Sequence, residues 1–213
     1  MAGCCEPGGY DRAFDSRSAR RRAERYRRRG LDRTERRIVD LITGRGVAGV
    51  SLLEIGGGVG EIQIELLRRG AASATNLELS PAYDDEARRL LAEAGLAGRV
   101  DRRIADIAVD PGAAEPADVV VLNRVVCCYP DFRRLLGAAA DRARRLLVFS
   151  HPPRNLISRT LFGGENLGWR LSGSAFRVFA HPPDAMRAVL AEHGLHPVAA
   201  TAGRMWQVSA AAR

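Results

Sequence analysis

The chain has 213 residues, enough for one α/β domain with modest additions and too few for two full domains. Hydrophobic residues make up 46% of it and aromatics only 6%, which predicts a core of Leu, Val, Ile and Ala rather than stacked rings. The net charge of +8 is carried entirely by arginine, since lysine is absent; alongside abundant Ala and Gly this reads as the coding bias of a GC-rich genome and weakens a nucleic-acid interpretation. No apolar run reaches the roughly 18 residues of a membrane span, and the N-terminus lacks a secretory apolar stretch, so a cytoplasmic protein is expected. The four cysteines fall as adjacent pairs, Cys4-Cys5 and Cys127-Cys128, unlike a disulfide framework, and are read as reduced thiols.

In chain order, the arginine-dense segment from Ser16 to Arg29 predicts a helix with a thin apolar stripe of Ala19, Ala23 and Tyr26. Gly30 is a stop, and a second helix from Asp32 to Leu41 follows, so residues 1–48 read as a helical cap. From Gly49 onward short apolar runs alternate with amphipathic segments, the pattern of βαβ units. Strands are expected over Ser51 to Ile55, Thr75 to Leu79, Val100 to Ile104, Val119 to Leu122 and Leu146 to Ser150. Helices are expected over Glu61 to Arg69, Pro81 to Ala94 and Asp131 to Ala143. The connection through Asp110-Pro111-Gly112 reads as a short loop. The stretch from His151 to His181 contains glycines and reads as an irregular cover over the site, with a short apolar run from Leu156 to Phe162. A helix from Pro183 to His193 and two strands, Pro197 to Thr201 and Met205 to Ser209, close the chain. The expected architecture is a seven-stranded α/β sheet, mostly parallel, with an antiparallel C-terminal hairpin at its edge and helices on both faces.

The most specific local feature is the run Glu54-Ile55-Gly56-Gly57-Gly58-Val59-Gly60, a strand ending in a glycine-dense turn into a helix. A dinucleotide fingerprint starting at Gly56 and Gly58 needs its third glycine at position 61, which is Glu61 here. A carboxylate at that helix start also opposes a pyrophosphate. A sulfonium nucleoside carries no phosphate, and Glu54 complements its positive charge. Glu78, at the end of the second strand, is suited to accept hydrogen bonds from two ribose hydroxyls, with Leu79 beside it. Asp106 after the third strand is suited to an adenine amino group, with Ile107 packing on the ring, and Asn123 and Arg124 at the end of the fourth strand complete the pocket.

Through these residues and the order of its elements, the chain from Gly49 to its C-terminus resembles the class I S-adenosylmethionine-dependent methyltransferases. Within them it is most similar to the magnesium-protoporphyrin O-methyltransferase group, in its arginine-rich approach helix, its Val125 to Asp131 stretch and its proline-containing segment after strand five. The Cys127-Cys128 pair and His151-Pro152-Pro153 depart from that group's pattern, so its substrate is not carried over. The resemblance implies a Rossmann-like domain over residues 49–213, with a cover over residues 151–181. It also implies S-adenosylmethionine as cofactor and S-adenosylhomocysteine as product.

His151 is a candidate general base on a substrate hydroxyl, or a histidine hydrogen-bonded in a loop. Tyr129 either orients the substrate or packs. A metal site would need Cys127 and Cys128 to meet Cys4 and Cys5, and none is expected. The arginine run is either a solvated face, an attractor for a carboxylate-bearing substrate, or a guide for RNA. The leading expectation is O-methylation of a small molecule, hydrophobic or carboxylate-bearing. The alternatives are an RNA or protein methyltransferase and a non-catalytic S-adenosylmethionine-binding module.

Overall fold

The computed structural model describes residue 10 and residues 13–203 and 205–213, the side chain of residue 159 excepted. Cys4 and Cys5 lie outside the described residues. Helix α1 (Ser16–Arg29) is capped by the Asp15 side chain, which accepts from the Ser18 amide, and it ends at Gly30 with φ +66°. The predicted stripe, Ala19, Ala23 and Tyr26, is its buried face. Helix α2 (Arg33–Thr43) begins with a capping box: Asp32 accepts from the amides of Thr34 and Glu35, and the Glu35 carboxylate accepts from the Asp32 amide.

The sheet comprises β1 (Ser51–Ile55), β2 (Ser73–Glu78), β3 (Val100–Ile104), β4 (Ala117–Leu122), β5 (Ala143–His151), β6 (His196–Thr201) and β7 (Gln207–Ala212). Its order is β3-β2-β1-β4-β5-β7-β6, with the first five parallel and β7 antiparallel to both β5 and β6. The remaining helices are α3 (Glu61–Arg68), α4 (Asp84–Glu93), α5 (Phe132–Arg142), α6 (Leu156–Leu171) and α7 (Pro183–Glu192). On one sheet face, Leu52, Val119, Val121 and Val148 pack with residues of α1, α2 and α3; on the other, Leu53, Val120, Leu147 and Phe149 pack with residues of α5 and α7. The seven-stranded α/β expectation is met.

Two expectations are corrected. The segment after β5 is not irregular but contains the 16-residue helix α6, whose Asn155 cap accepts from the Ser158 amide. Gly163, Gly164 and Gly168 each cost a helix about 1 kcal/mol relative to alanine, which is why the pattern reads as irregular. Phe162 and Trp169, packed against the cluster of Tyr10, Cys127, Phe176 and Val178, offset that cost. The last strand runs Gln207–Ala212 rather than ending at Ser209, because Ala210, Ala211 and Ala212 continue the antiparallel register with β5 as far as Leu146.

Among the described residues no helix is long and apolar enough to cross a membrane.

Candidate active site

Beyond the C-terminal ends of β1, β2, β3 and β4 lies a cavity of about 360 Å³, within the size range of small-molecule sites. Its floor is made by strand-end residues: Ile55, Gly56 and Gly58 after β1, Leu77 to Ser80 after β2, Ala105 to Ile107 after β3, and Asn123 to Val125 after β4. The opposite wall comes from Tyr10, Ala13 and Phe14, from Phe162, Glu165 and Trp169 of α6, from Phe176 and Val178, and from Trp206 ahead of β7.

The glycine loop is shaped by close approach. Gly57 lies against Asn76, where an added Cβ would fall 2.1 Å from the side-chain nitrogen. Asn76 is fully buried and held by Gln63 and Arg102, so it has nowhere to yield. Gly56 has φ +63°, and its missing Cβ would meet Val125. Gly58 faces the cavity, and its amide donates to Glu78 Oε2 at 2.7 Å. The other Glu78 oxygen accepts from the amides of Leu79 (2.8 Å) and Ser80 (3.1 Å). The carboxylate thus ties the two strand ends together, and its oxygens retain lone pairs for further donors.

Asp106 accepts from the Ala108 amide (2.9 Å) and from the Tyr129 hydroxyl (2.9 Å), while Ile107 is buried beside it. Arg124 alone among the described non-glycine residues has positive φ, +62°, a conformation that costs a non-glycine residue about 1–2 kcal/mol. Its amide donates to Ser150 Oγ, which in turn donates to Asn123 Oδ1. Its guanidinium pairs with Asp32 at 2.6 Å and lies 5.2 Å from the centre of the Trp206 ring. Asn123 Nδ2 and Arg124 Nε are buried without a hydrogen-bond partner, although both residues line the cavity. Buried donors left unpaired in this way are costly to the fold.

The cavity therefore brings together Gly56, Gly58, Glu78, Leu79, Asp106, Ile107, Asn123, Arg124 and Tyr129 of the residues expected from sequence. Gly57, Gly60, Glu54 and His151 are not among its lining. Gly60 packs on Gln63 and starts α3. His151 is buried, with Nδ1 3.1 Å from the Pro152 carbonyl and Nε2 3.1 Å from Ser209 Oγ; burial lowers its pKa, so both nitrogens are used by a neutral ring.

Glu54 is buried and accepts from the Gln63 amide at 3.3 Å. Burial, and then the neighbouring Glu61, push its carboxyl up to about 8, so at neutral pH it holds a proton instead of complementing a cation. The folded state then binds more protons than the unfolded one between pH 4.5 and about 8, and stability falls as pH rises through that window. Glu54→Gln is expected to lose this contribution and to gain on the wild type as pH rises. Thermal melts at pH 5 and pH 8.5 check it; an equal difference between the proteins at both pH values contradicts it.

Glu61 does not face the cavity as an open charge. It is 1% exposed and accepts from Arg22 and Arg25, which also reach the fully buried Glu35. Arg27 pairs with Glu86 and Glu93. Three members of the arginine run are thus spent on acids of this chain. Arg22 also lines the cavity, 3.4 Å from where a Gly58 Cβ would stand, and sequence reasoning missed it. The signal was present: Arg22 lies three residues from Ala19 and four from Tyr26, on the flank of the buried stripe.

A family profile described as a methyltransferase domain matches residues 17–200. No curated protein matches the sequence. The structure is similar to an O-methyltransferase family protein from Burkholderia thailandensis, with a TM-score of 0.73 and 20% identity, covering 98% of this chain and 64% of that one. It is also similar to magnesium protoporphyrin IX methyltransferase from Synechocystis with bound SAH (TM-score 0.68, 21% identity, covering 84% and 81%). A third similar structure is an O-methyltransferase family 2 protein from Planctomyces limnophilus in complex with apigenin (TM-score 0.69, 19% identity, covering 92% and 62%). With the profile spanning most of its length, the strand-end cavity and the seven-stranded sheet, the chain belongs to the methyltransferase-domain family and is a class I S-adenosylmethionine-dependent methyltransferase.

Proposed function

We propose that this methyltransferase acts on a small molecule, transferring the methyl group to an oxygen of a planar aromatic acid. The observation that carries this reading is where the rings are: of six Phe, two Trp and four Tyr in the chain, eight line the one cavity. Phe176 is central, meeting Phe14 at 5.5 Å and Trp169 at 5.3 Å, both edge-on. Such walls favour a flat ring.

On this reading Gly56, Gly58 and Asn123 border the methionyl end of the cofactor. Glu78 holds the ribose, Asp106 the adenine amino group, and Ile107 the ring. When bound, S-adenosylmethionine supplies an electrophilic methyl group on a sulfonium. The residues do the rest by proximity and in-line orientation.

A carboxylate acceptor is favoured over a phenol because it is already ionised at neutral pH and needs no general base. Tyr129, engaged with Asp106, acts by positioning. Trp206, with the Asp32-paired Arg124 guanidinium 5.2 Å from its centre, presents a ring to an aromatic acid. Incubating the protein with methyl-labelled cofactor and a panel of aromatic acids and phenols tests this. The expected product is an ester, releasing its label as volatile methanol in mild alkali. A base-stable ether would redirect the reading to phenols, and label on RNA or protein alone would overturn it.

A further inference from the structure

Cys127 and Cys128 both line the cavity, and neither enters the methyl-transfer reading. Neighbouring side chains ordinarily splay, yet these two sulfurs are 3.5 Å apart. Both thiols point at one acceptor, the Arg124 carbonyl, at 3.5 Å from Cys127 and 3.7 Å from Cys128. That carbonyl belongs to the residue of positive φ, two positions before the short 3-10 turn Val126–Cys128. The turn is tied down from outside: the Tyr10 hydroxyl donates to the Cys128 carbonyl, and the Phe179 amide donates to the Cys127 carbonyl.

We propose that Cys127 and Cys128 form a dithiol site for a monosubstituted trivalent arsenical, with the organic substituent lying against the aromatic wall of the cavity. Three features select this ligand class. No group of three or more His, Cys, Asp or Glu able to hold a metal ion occurs among the described residues, so within them the site offers two thiol ligands where zinc requires four. Two bonds of about 2.3 Å, the length of a metal–thiolate bond, meeting at a pyramidal centre span a sulfur separation close to that observed, whereas a linear two-coordinate ion needs a wider one. A disulfide is disfavoured, because its Cα atoms ordinarily lie about 4.4–6.8 Å apart and adjacent residues only about 3.8 Å.

The chemistry balances without a redox change. An arsonous acid, R–As(OH)2, condenses with the two thiols; two As–S bonds form, two As–O bonds break, and each thiol proton leaves with a hydroxide as water. Starting and bound states are both neutral, which suits the setting, since the hydrogen bond with Cys127 and burial hold the Cys128 thiol well above its ordinary pKa. Phe162, Trp169 and Phe176 line the same cavity and provide a surface for an aryl substituent. This inference rests on the cavity and the paired sulfurs, not on the choice of methyl acceptor.

The test uses phenylarsine oxide on the 213-residue chain with Cys4→Ser and Cys5→Ser, which removes the other adjacent pair. One equivalent should abolish both titratable thiols; 2,3-dimercaptopropanol should restore them, and a monothiol should not. Adding Cys127→Ser or Cys128→Ser should weaken binding on the order of 100-fold, the loss of a chelate's second arm. Phenyl arsenical should be retained longer than methyl arsenical, and Phe176→Ala should narrow that gap. Two thiols that still titrate after one equivalent, in protein with an intact cooperative melt, would overturn the proposal. S-adenosylhomocysteine binding measured on the same sample reports on the methyltransferase reading separately.

Discussion

Glu78→Ala is expected to lower affinity for S-adenosylhomocysteine by on the order of 100-fold or more, because two charge-assisted hydrogen bonds to ribose hydroxyls contribute about 1.5–3 kcal/mol each. Glu78→Gln keeps one acceptor oxygen and should lose less. Glu78 also accepts from the amides of Gly58, Leu79 and Ser80, so removing it loosens the glycine loop as well. A ligand lacking the 2′-hydroxyl separates the two effects. It should bind the wild type more weakly than the parent compound, while the Glu78→Ala protein should discriminate little between them. Calorimetric titration checks both arms. Undiminished affinity of the variant would remove Glu78 from the ribose site.

The second large effect is on stability. Arg22→Ala leaves Glu61 and Glu35, 1% and 0% exposed, with Arg25 as their remaining guanidinium partner. Breaking a buried ion pair costs about 3–5 kcal/mol, and the cost here should be about 2–3 kcal/mol because Arg25 still reaches both carboxylates. Arg28→Ala, at an exposed position of the same helix, should change stability by no more than about 0.5 kcal/mol. Denaturant unfolding of the two variants measures the contrast. Equal effects would mean that Arg22 is as solvated as the rest of the run. The arginine run is thus divided by its helical phase: Arg22, Arg25 and Arg27 meet Glu61, Glu86 and Glu93 of the sheet domain, whereas Arg20, Arg28 and Arg29 face solvent.

Helix α1, strand β1 and strand β3 have the bounds read from sequence, because each is defined by local signals: a cap, a stop glycine, or an apolar run between turns. Helix α6 was not legible as a helix, because its three glycines oppose it locally and Leu156, Ile157, Leu161, Leu167 and Leu171 stay exposed, which blurs its apolar face. His151 ends a strand that points toward the site, yet its ring turns to Pro152 and Ser209, a choice that depends on β7 lying alongside β5.

Residue order alone determined the sheet, its parallel sense and the edge carrying the glycine loop, Glu78, Asp106 and Asn123. Strand periodicity and turn chemistry act over a few residues and are written contiguously. Tertiary structure alone decided which charges cancel and what covers the cavity. Glu54 and Glu61 look alike in sequence and both are buried, yet the Glu54 carboxyl is pushed toward its neutral form while Glu61 is bound by Arg22 and Arg25 from a separate helix. The aromatic wall joins Phe14, Trp169, Phe176 and Trp206, which are far apart in the chain and become neighbours only when α1, α6 and β7 are packed. Burial and charge pairing depend on distances through space, and those are set by the completed fold.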